Sequence, residues 1–130
     1  MVVDSSAVIT VLLGEPESEA IARALLGEPQ RLMSEQSALE VAIVIEARKG
    51  ASGAREWELF AFNAELKFIP FTAAQRILAI EGWRRYGKGR HPAGLNIGDC
   101  CAYALAVHTH QAILYKGADF SHTNLDSVPW

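Results

Sequence analysis

Along this chain, apolar residues fall into short runs and helix-spaced stripes, separated by glycine, proline and hydroxyl residues. Met1 to Asp4 reads as a very short buried strand. Ser5 or Ser6 can then cap a helix through Val8, Ile9, Leu12 and Leu13 that Gly14 ends. Pro16 opens a second helix with Ala20, Ile21, Ala24 and Leu25 on one face, stopped by Gly27 and Pro29. Arg31 to Ser34 predicts a second strand. From Ser34 or Ser37 a long helix runs to Lys49, its apolar face drawn from Leu39, Ala42, Ile43 and Ala47, with Gly50 as its stop.

Trp57, Phe60, Ala61 and Ala64 mark a further helix, and Lys67 to Pro70 a third strand. Thr72 caps a helix through Ile77, Ile80 and Trp83 that fades at Gly87. Ile97, Cys101, Ala104, Leu105 and His108 recur at helical spacing, Ala112 to Tyr115 reads as a fourth buried strand, and Asp126 to Trp130 offers an edge strand. Strands separated by helices make right-handed parallel crossovers. The expected architecture is therefore α/β: a mainly parallel, four- to five-stranded central sheet with helices on both faces, in a single domain over residues 1–130.

With 130 residues, half of them apolar and 21% charged, the chain can bury one ordinary core, which excludes a disordered or collagen-like protein. The longest largely apolar runs, Ala7 to Leu13, Val41 to Ile45 and Cys100 to Val107, fall short of the roughly 18 residues needed to cross a bilayer. Met1-Val2-Val3-Asp4 lacks the basic start of a secretory leader, so the expected location is cytoplasmic. The two cysteines, Cys100 and Cys101, are adjacent and read as reduced thiols packed on a helix. A net charge of −3 does not in itself propose a nucleic-acid binder. The distribution changes that picture: no acid lies between Glu81 and Asp99, while Arg84, Arg85, Lys88, Arg90 and His91 crowd together.

Ligands of open parallel sheets bind beyond the carboxyl ends of the strands. Asp4 closes the first strand and Asp119 lies just past the fourth, while Glu40 and Asp99 fall in early turns of helices that can start near that edge. Were these four acids to converge within about 5 Å, each ionised pair would repel by roughly 3 kcal/mol at an effective dielectric of about 20. Protons or cations must compensate, and a ligand set made only of oxygen selects hard ions, Mg²⁺ or Mn²⁺, over zinc. Mg²⁺ keeps waters and accepts phosphate oxygens, which points to phosphodiester chemistry by an activated water.

Each acid also has an ordinary structural reading. Asp4 can cap the first helix, Ser37-x-x-Glu40 can be a capping box, Asp99 can be a first-turn acid behind Asn96, and Asp119 a turn acid. The basic run is more often a solvated helix end than a binding patch. Beside a phosphodiester site, however, Arg84, Arg85, Lys88 and Arg90 would hold flanking phosphates and Tyr86 could stack on an unpaired base. His108, His110 and the cysteines lack zinc spacing, the serines lack a nucleophile elbow, and there is no glycine-rich phosphate loop.

Four collinear segments carry a family resemblance: Val2-Val3-Asp4-Ser5-Ser6-Ala7, Ser37-Ala38-Leu39-Glu40, Gly89 to Cys100 with Asn96-Ile97-Gly98-Asp99, and Gly117-Ala118-Asp119-Phe120. Together they resemble PIN-domain ribonucleases of the VapC toxin type. The resemblance implies a PIN-like fold, with Asp4, Glu40, Asp99 and Asp119 as the catalytic, metal-binding acids and Ser6 supporting them by hydrogen bonding. It further implies a Mg²⁺-dependent endoribonuclease, with Mn²⁺ as a substitute, a homodimer, and a cognate VapB-type antitoxin as partner. Ala118 and Asn124 stand where many relatives carry acids, leaving fewer ligands for a second ion. The rival reading is a catalytically weak PIN-like module that only binds RNA or protein. A purely binding surface would gain from losing these repulsive charges. A further rival keeps the nuclease and changes the substrate to DNA or structured RNA ends.

Overall fold

The computed structural model describes residues 1–130. Strand β1 (Val2–Val3) passes into helix α1 (Ser5–Leu13), followed by α2 (Ser18–Gly27), β2 (Leu32–Ser34) and the long α3 (Glu35–Asn63). The chain continues through β3 (Lys67–Ile69), α4 (Ala73–Tyr86), α5 (Ile97–Thr109), β4 (Ile113–Leu114) and a single 3₁₀ turn over Phe120–His122. Every strand pairing is parallel, in the order β3-β2-β1-β4, with Val2 opposite both Leu32 and Ile113. The expected edge strand after Asp126 is reduced to one bridge between Ser127 and Ile113.

Because side chains alternate across a strand, neighbouring residues of these short strands serve opposite faces. Val3, Met33 and Leu114 join Val8, Ile21 and Ile45 in one buried cluster. Val2, Leu32 and Ile113 join Leu95, Tyr103 and Leu105 in the other. Helix α5 is enclosed along its middle, where the sequence supplies small residues, Ala102, Ala104 and Ala106, flanking Tyr103 and Leu105. The free thiols of Cys100 and Cys101 are buried on the same helix, as expected.

Several local expectations change. Of the candidate caps of α1, Asp4 and not Ser5 or Ser6 takes the position, and α2 begins at Ser18 instead of Pro16. Gly50 does interrupt the helix, as expected: at φ +64° and ψ −154° its backbone is not helical, a conformation glycine tolerates, so the span Glu35–Asn63 is two helices meeting at a kink. The buried stripe of α3 is Ser37, Val41 and Ile45. Leu39 and Ile43 are 57% and 60% exposed, and Ala47 is also outward. On α4, Gln75, Ala79 and Gly82 face inward while Ile77, Ile80 and Trp83 remain partly exposed. The cause on α4 is local. Gly82 packs so closely on the ring of Tyr103 that a Cβ there would lie 2.6 Å from it, so the small-residue face takes the interface.

Strands β2 and β3 extend the sheet to one side of β1, whereas β4 joins on the other. The strand order therefore reverses between β1 and β4, and in such sheets that reversal opens a crevice at the carboxyl ends. Asp4 stands at the end of β1, its N–H donating to Leu114 O of β4 at 2.9 Å.

Candidate active site

Asp4 is 3% exposed and is held from two directions. Its Oδ2 accepts from Ser6 N at 3.0 Å, capping α1, and from Ser6 Oγ at 2.6 Å. The same hydroxyl accepts from Lys116 N at 3.0 Å, which ties the end of β1 to the chain leaving β4. Burial pushes the Asp4 carboxyl above its ordinary range, opposed by the Ser6 hydrogen bonds and reinforced by the nearby charge of Glu40. Ser6 thus occupies the supporting position implied by the family pattern.

Glu40 reaches this crevice from α3. Its Oε2 accepts from Ser5 Oγ at 2.9 Å. The Ser37-x-x-Glu40 capping box does not form, because α3 starts three residues earlier, with Ser34 Oγ accepting from Gln36 N, and Ser37 lies inside the helix. Glu40 is thereby left to an interaction distant in sequence. Gly98, at the start of α5, packs against the same carboxylate: a Cβ there would come within 3.0 Å of Glu40 Oε2. Asp99 follows at once. It completes a capping box with Asn96, whose N–H donates to Asp99 Oδ2 at 2.7 Å while Asn96 Oδ1 accepts from Asp99 N at 3.0 Å.

The first-turn reading of Asp99 is correct and incomplete. Burial pushes its pKa up to about 7, the Asn96 hydrogen bond opposes that, and the charges of Asp4, Asp119 and Glu40 push it further up. Asp119, exposed at the head of the 3₁₀ turn, makes no capping bond of its own and joins the others through this repulsion. As they stand, no three of these side chains are grouped closely enough to hold a metal ion. Their mutual repulsion favours separation, and Ser5, Ser6 and Asn96 each tether one carboxylate where it stands. The donor set still fits a hard divalent cation. It is all oxygen, Glu40 and Asp99 each have one carboxylate oxygen free of hydrogen bonds, and on Asp99 the neighbouring acids add to a shift that burial leads.

Arg84, Arg85, Lys88 and Arg90 are exposed, and none pairs with an acid. Two are steadied by aromatic rings: the Arg90 guanidinium lies 4.2 Å from the Trp83 centroid and that of Arg85 5.4 Å from Tyr86. Sequence reasoning treated Ser5 only as a possible cap and passed over Lys116. Lys116 Nζ lies 2.6 Å from Glu15 and 3.0 Å from Glu17, holding the chain after β4 against the turn between α1 and α2. The only signal for Ser5 was its place beside Asp4.

The profile of the PIN domain matches residues 1–125. Ribonuclease VapC30 of Mycobacterium tuberculosis is 45% identical over 128 residues, 98% of each chain, and Ribonuclease VapC of Mycolicibacterium smegmatis is 45% identical over 98% of this chain and 99% of its own. Among solved structures, the Mycobacterium tuberculosis VapC20, described as a sarcin-ricin loop cleaving toxin, superposes with a TM-score of 0.81 at 17% identity, covering 99% of this chain and 98% of that one. A toxin–antitoxin complex from Klebsiella pneumoniae gives 0.74 at 16% identity, covering 99% and 97%. A reversal crevice lined by acids, on a four-stranded parallel sheet, is here the work of a PIN domain, and the chain belongs to that family. Within it, the likeness over nearly its whole length places it with the VapC ribonucleases.

Proposed function

We propose that this chain is the toxin of a VapB–VapC pair, an endoribonuclease that hydrolyses RNA phosphodiester bonds with Mg²⁺, Mn²⁺ being a possible substitute. The observation that carries the reading is the chain of contacts at the crevice. Ser5, next to Asp4, bonds Glu40, Glu40 abuts Gly98, and Gly98 precedes Asp99, whose carboxyl feels the charges of Asp4, Asp119 and Glu40; this supports reading the four acids as one site. Asp4, Asp99 and Glu40 would hold the ion, with Asp119 completing the set from the exposed side. A magnesium ion held there would supply Lewis acidity for ionising water and for neutralising charge on the attacked phosphate.

The protein's own share is positional. Ser6 and the Lys116 N–H fix Asp4, Ser5 fixes Glu40, and Asn96 fixes Asp99, so the acids are oriented before substrate arrives. Exposed Arg84, Arg85, Lys88 and Arg90 would anchor the RNA backbone. A VapB-type antitoxin is the proposed protein partner and a homodimer the proposed assembly, with action in the cytoplasm. Relatives named as ribonucleases support RNA over DNA. Magnesium-dependent cleavage of RNA by purified protein, absent in Asp99→Asn, tests the reading. Wild-type cleavage rates in Asp99→Asn would overturn it.

A further inference from the structure

A cavity of about 440 Å³ opens between α4 and the start of α5, within the range of roughly 300–1,000 Å³ typical of small-ligand sites. Its apolar walls include Ala79, Ile80, Trp83, Leu95 and Cys101, and Gln36 and Asn96 add side-chain amides. Arg76 and Lys88 are the only charged residues that line it, although acids outnumber bases in the chain by fifteen to twelve. A second hollow of about 330 Å³ shares Gln36, Asn96 and Ile97 with the first and is lined also by Glu40 and Gly98. The apolar cavity therefore adjoins a hollow that Glu40 lines, and Asn96, common to both, is hydrogen-bonded to Asp99.

The lining suits a flat apolar body with a polar edge and anionic flanks. Trp83, 42% exposed, offers an indole that Arg90 steadies by lying over the ring. Amide side chains read base edges, aromatic rings stack on bases, and cations hold the phosphates on either side. An apolar protein segment would also fill the hollow, but it would leave Arg76 and Lys88 without a charge partner, since the walls carry no acid.

We propose that this cavity is a nucleobase subsite. An unpaired base adjoining the scissile phosphate stacks at Trp83 with its edge toward Gln36 and Asn96, while Arg76 and Lys88 hold the neighbouring phosphates. The subsite rests on the ribonuclease reading of the acids, and it makes the toxin a reader of single-stranded bases, not of backbone shape alone.

The test compares binding of the full chain, in EDTA so that nothing is cleaved, to the pentaribonucleotides of A, C, G and U and to an abasic ribose-phosphate pentamer carrying the same charges. At least one base-bearing pentamer is expected to bind about tenfold more tightly than the abasic chain and to shift the Trp83 indole N–H resonance. Trp83→Ala, checked for folding by circular dichroism, should bind both probes alike. Gln36→Ala, on a helix terminus that its side chain does not cap, gives the same reading at a second wall and is expected to narrow the difference.

Equal binding of abasic and base-bearing pentamers to the wild type, or no binding of either, overturns the subsite. So does a Trp83→Ala protein that keeps its preference for bases, or one whose only change is weaker self-association or weaker capture of an antitoxin peptide, which would make the cavity a protein interface. Magnesium-dependent cleavage of a longer RNA is scored separately on the wild type. A protein that cleaves but ignores bases loses this subsite and keeps its active site, whereas one that never cleaves loses the ribonuclease reading itself.

Discussion

Ser5 Oγ donates to Glu40 Oε2 across 35 positions of sequence, and the residue just before Ser5 is the buried acid Asp4. One dipeptide thus supplies both a ligand candidate and the tether of another. Ser5→Ala should release Glu40 while costing the fold only about 1 kcal/mol, the usual net value of one such bond. Loss of an outer-shell partner commonly weakens metal binding by about 10–100-fold. Manganese titration followed by calorimetry is expected to fall in that range; unchanged affinity would show that the tether does not matter.

Asp99 makes the stability of the cation-free protein depend on pH. Its folded pKa, raised to about 7, exceeds the ordinary carboxyl value, so the folded state holds a proton that the unfolded chain releases. The contribution of Asp99 is therefore fully present in acid below about pH 4, is lost as pH rises, and levels off above about pH 7. Asp99→Asn removes the penalty, and with allowance for solvent screening of this partly exposed group the gain at pH 8 is about 2 kcal/mol. Urea unfolding of both proteins in EDTA at pH 5 and pH 8 checks it. The variant's advantage should be clearly larger at pH 8 than at pH 5.

Asp4 combines two roles that substitution separates. Asparagine keeps an oxygen for the α1 cap and removes a charge that burial disfavours, so Asp4→Asn should lose cleavage without losing stability. Asp4→Ala loses the cap as well and should cost about 1 kcal/mol by thermal denaturation. Equal stability of the two variants would remove the cap from the account.

Gly98→Ala places a methyl 3.0 Å from Glu40 Oε2 and 3.2 Å from Asn96 Oδ1. The backbone there is ordinary helix, so the substitution should leave folding within about 1 kcal/mol of wild type while displacing the Glu40 carboxylate. The expected result is at least a tenfold drop in magnesium-dependent cleavage, of the size seen when outer-shell support is lost. Full activity would mean that Glu40 moves aside without consequence.

The order of strands and helices was legible because caps and apolar runs are local signals: Thr72 starts α4 and Asn96 starts α5 as their chemistry dictates. Which face of a helix turns inward was not. In α3 two stripes are apolar, Leu39 with Ile43 and Val41 with Ile45, and contact with distant elements chooses the second. Asp4 and Asp99 were legible as site candidates because acids at strand ends and helix starts are conspicuous among apolar neighbours. The part played by Glu40 was obscured by a plausible capping box, which vanishes once Ser34 at the end of β2 begins the helix. Ser5, Lys116 and the Trp83 cavity depend on pairings between remote segments that no spacing encodes.

Asp4 takes its backbone partner from Leu114, and the hydroxyl that steadies it is braced by the amide of Lys116, 110 positions away from Ser6. The carboxylate is therefore set in place only when β4 docks beside β1. Fraying of that one seam would release it, so the seam ties the order of the site to the integrity of the sheet.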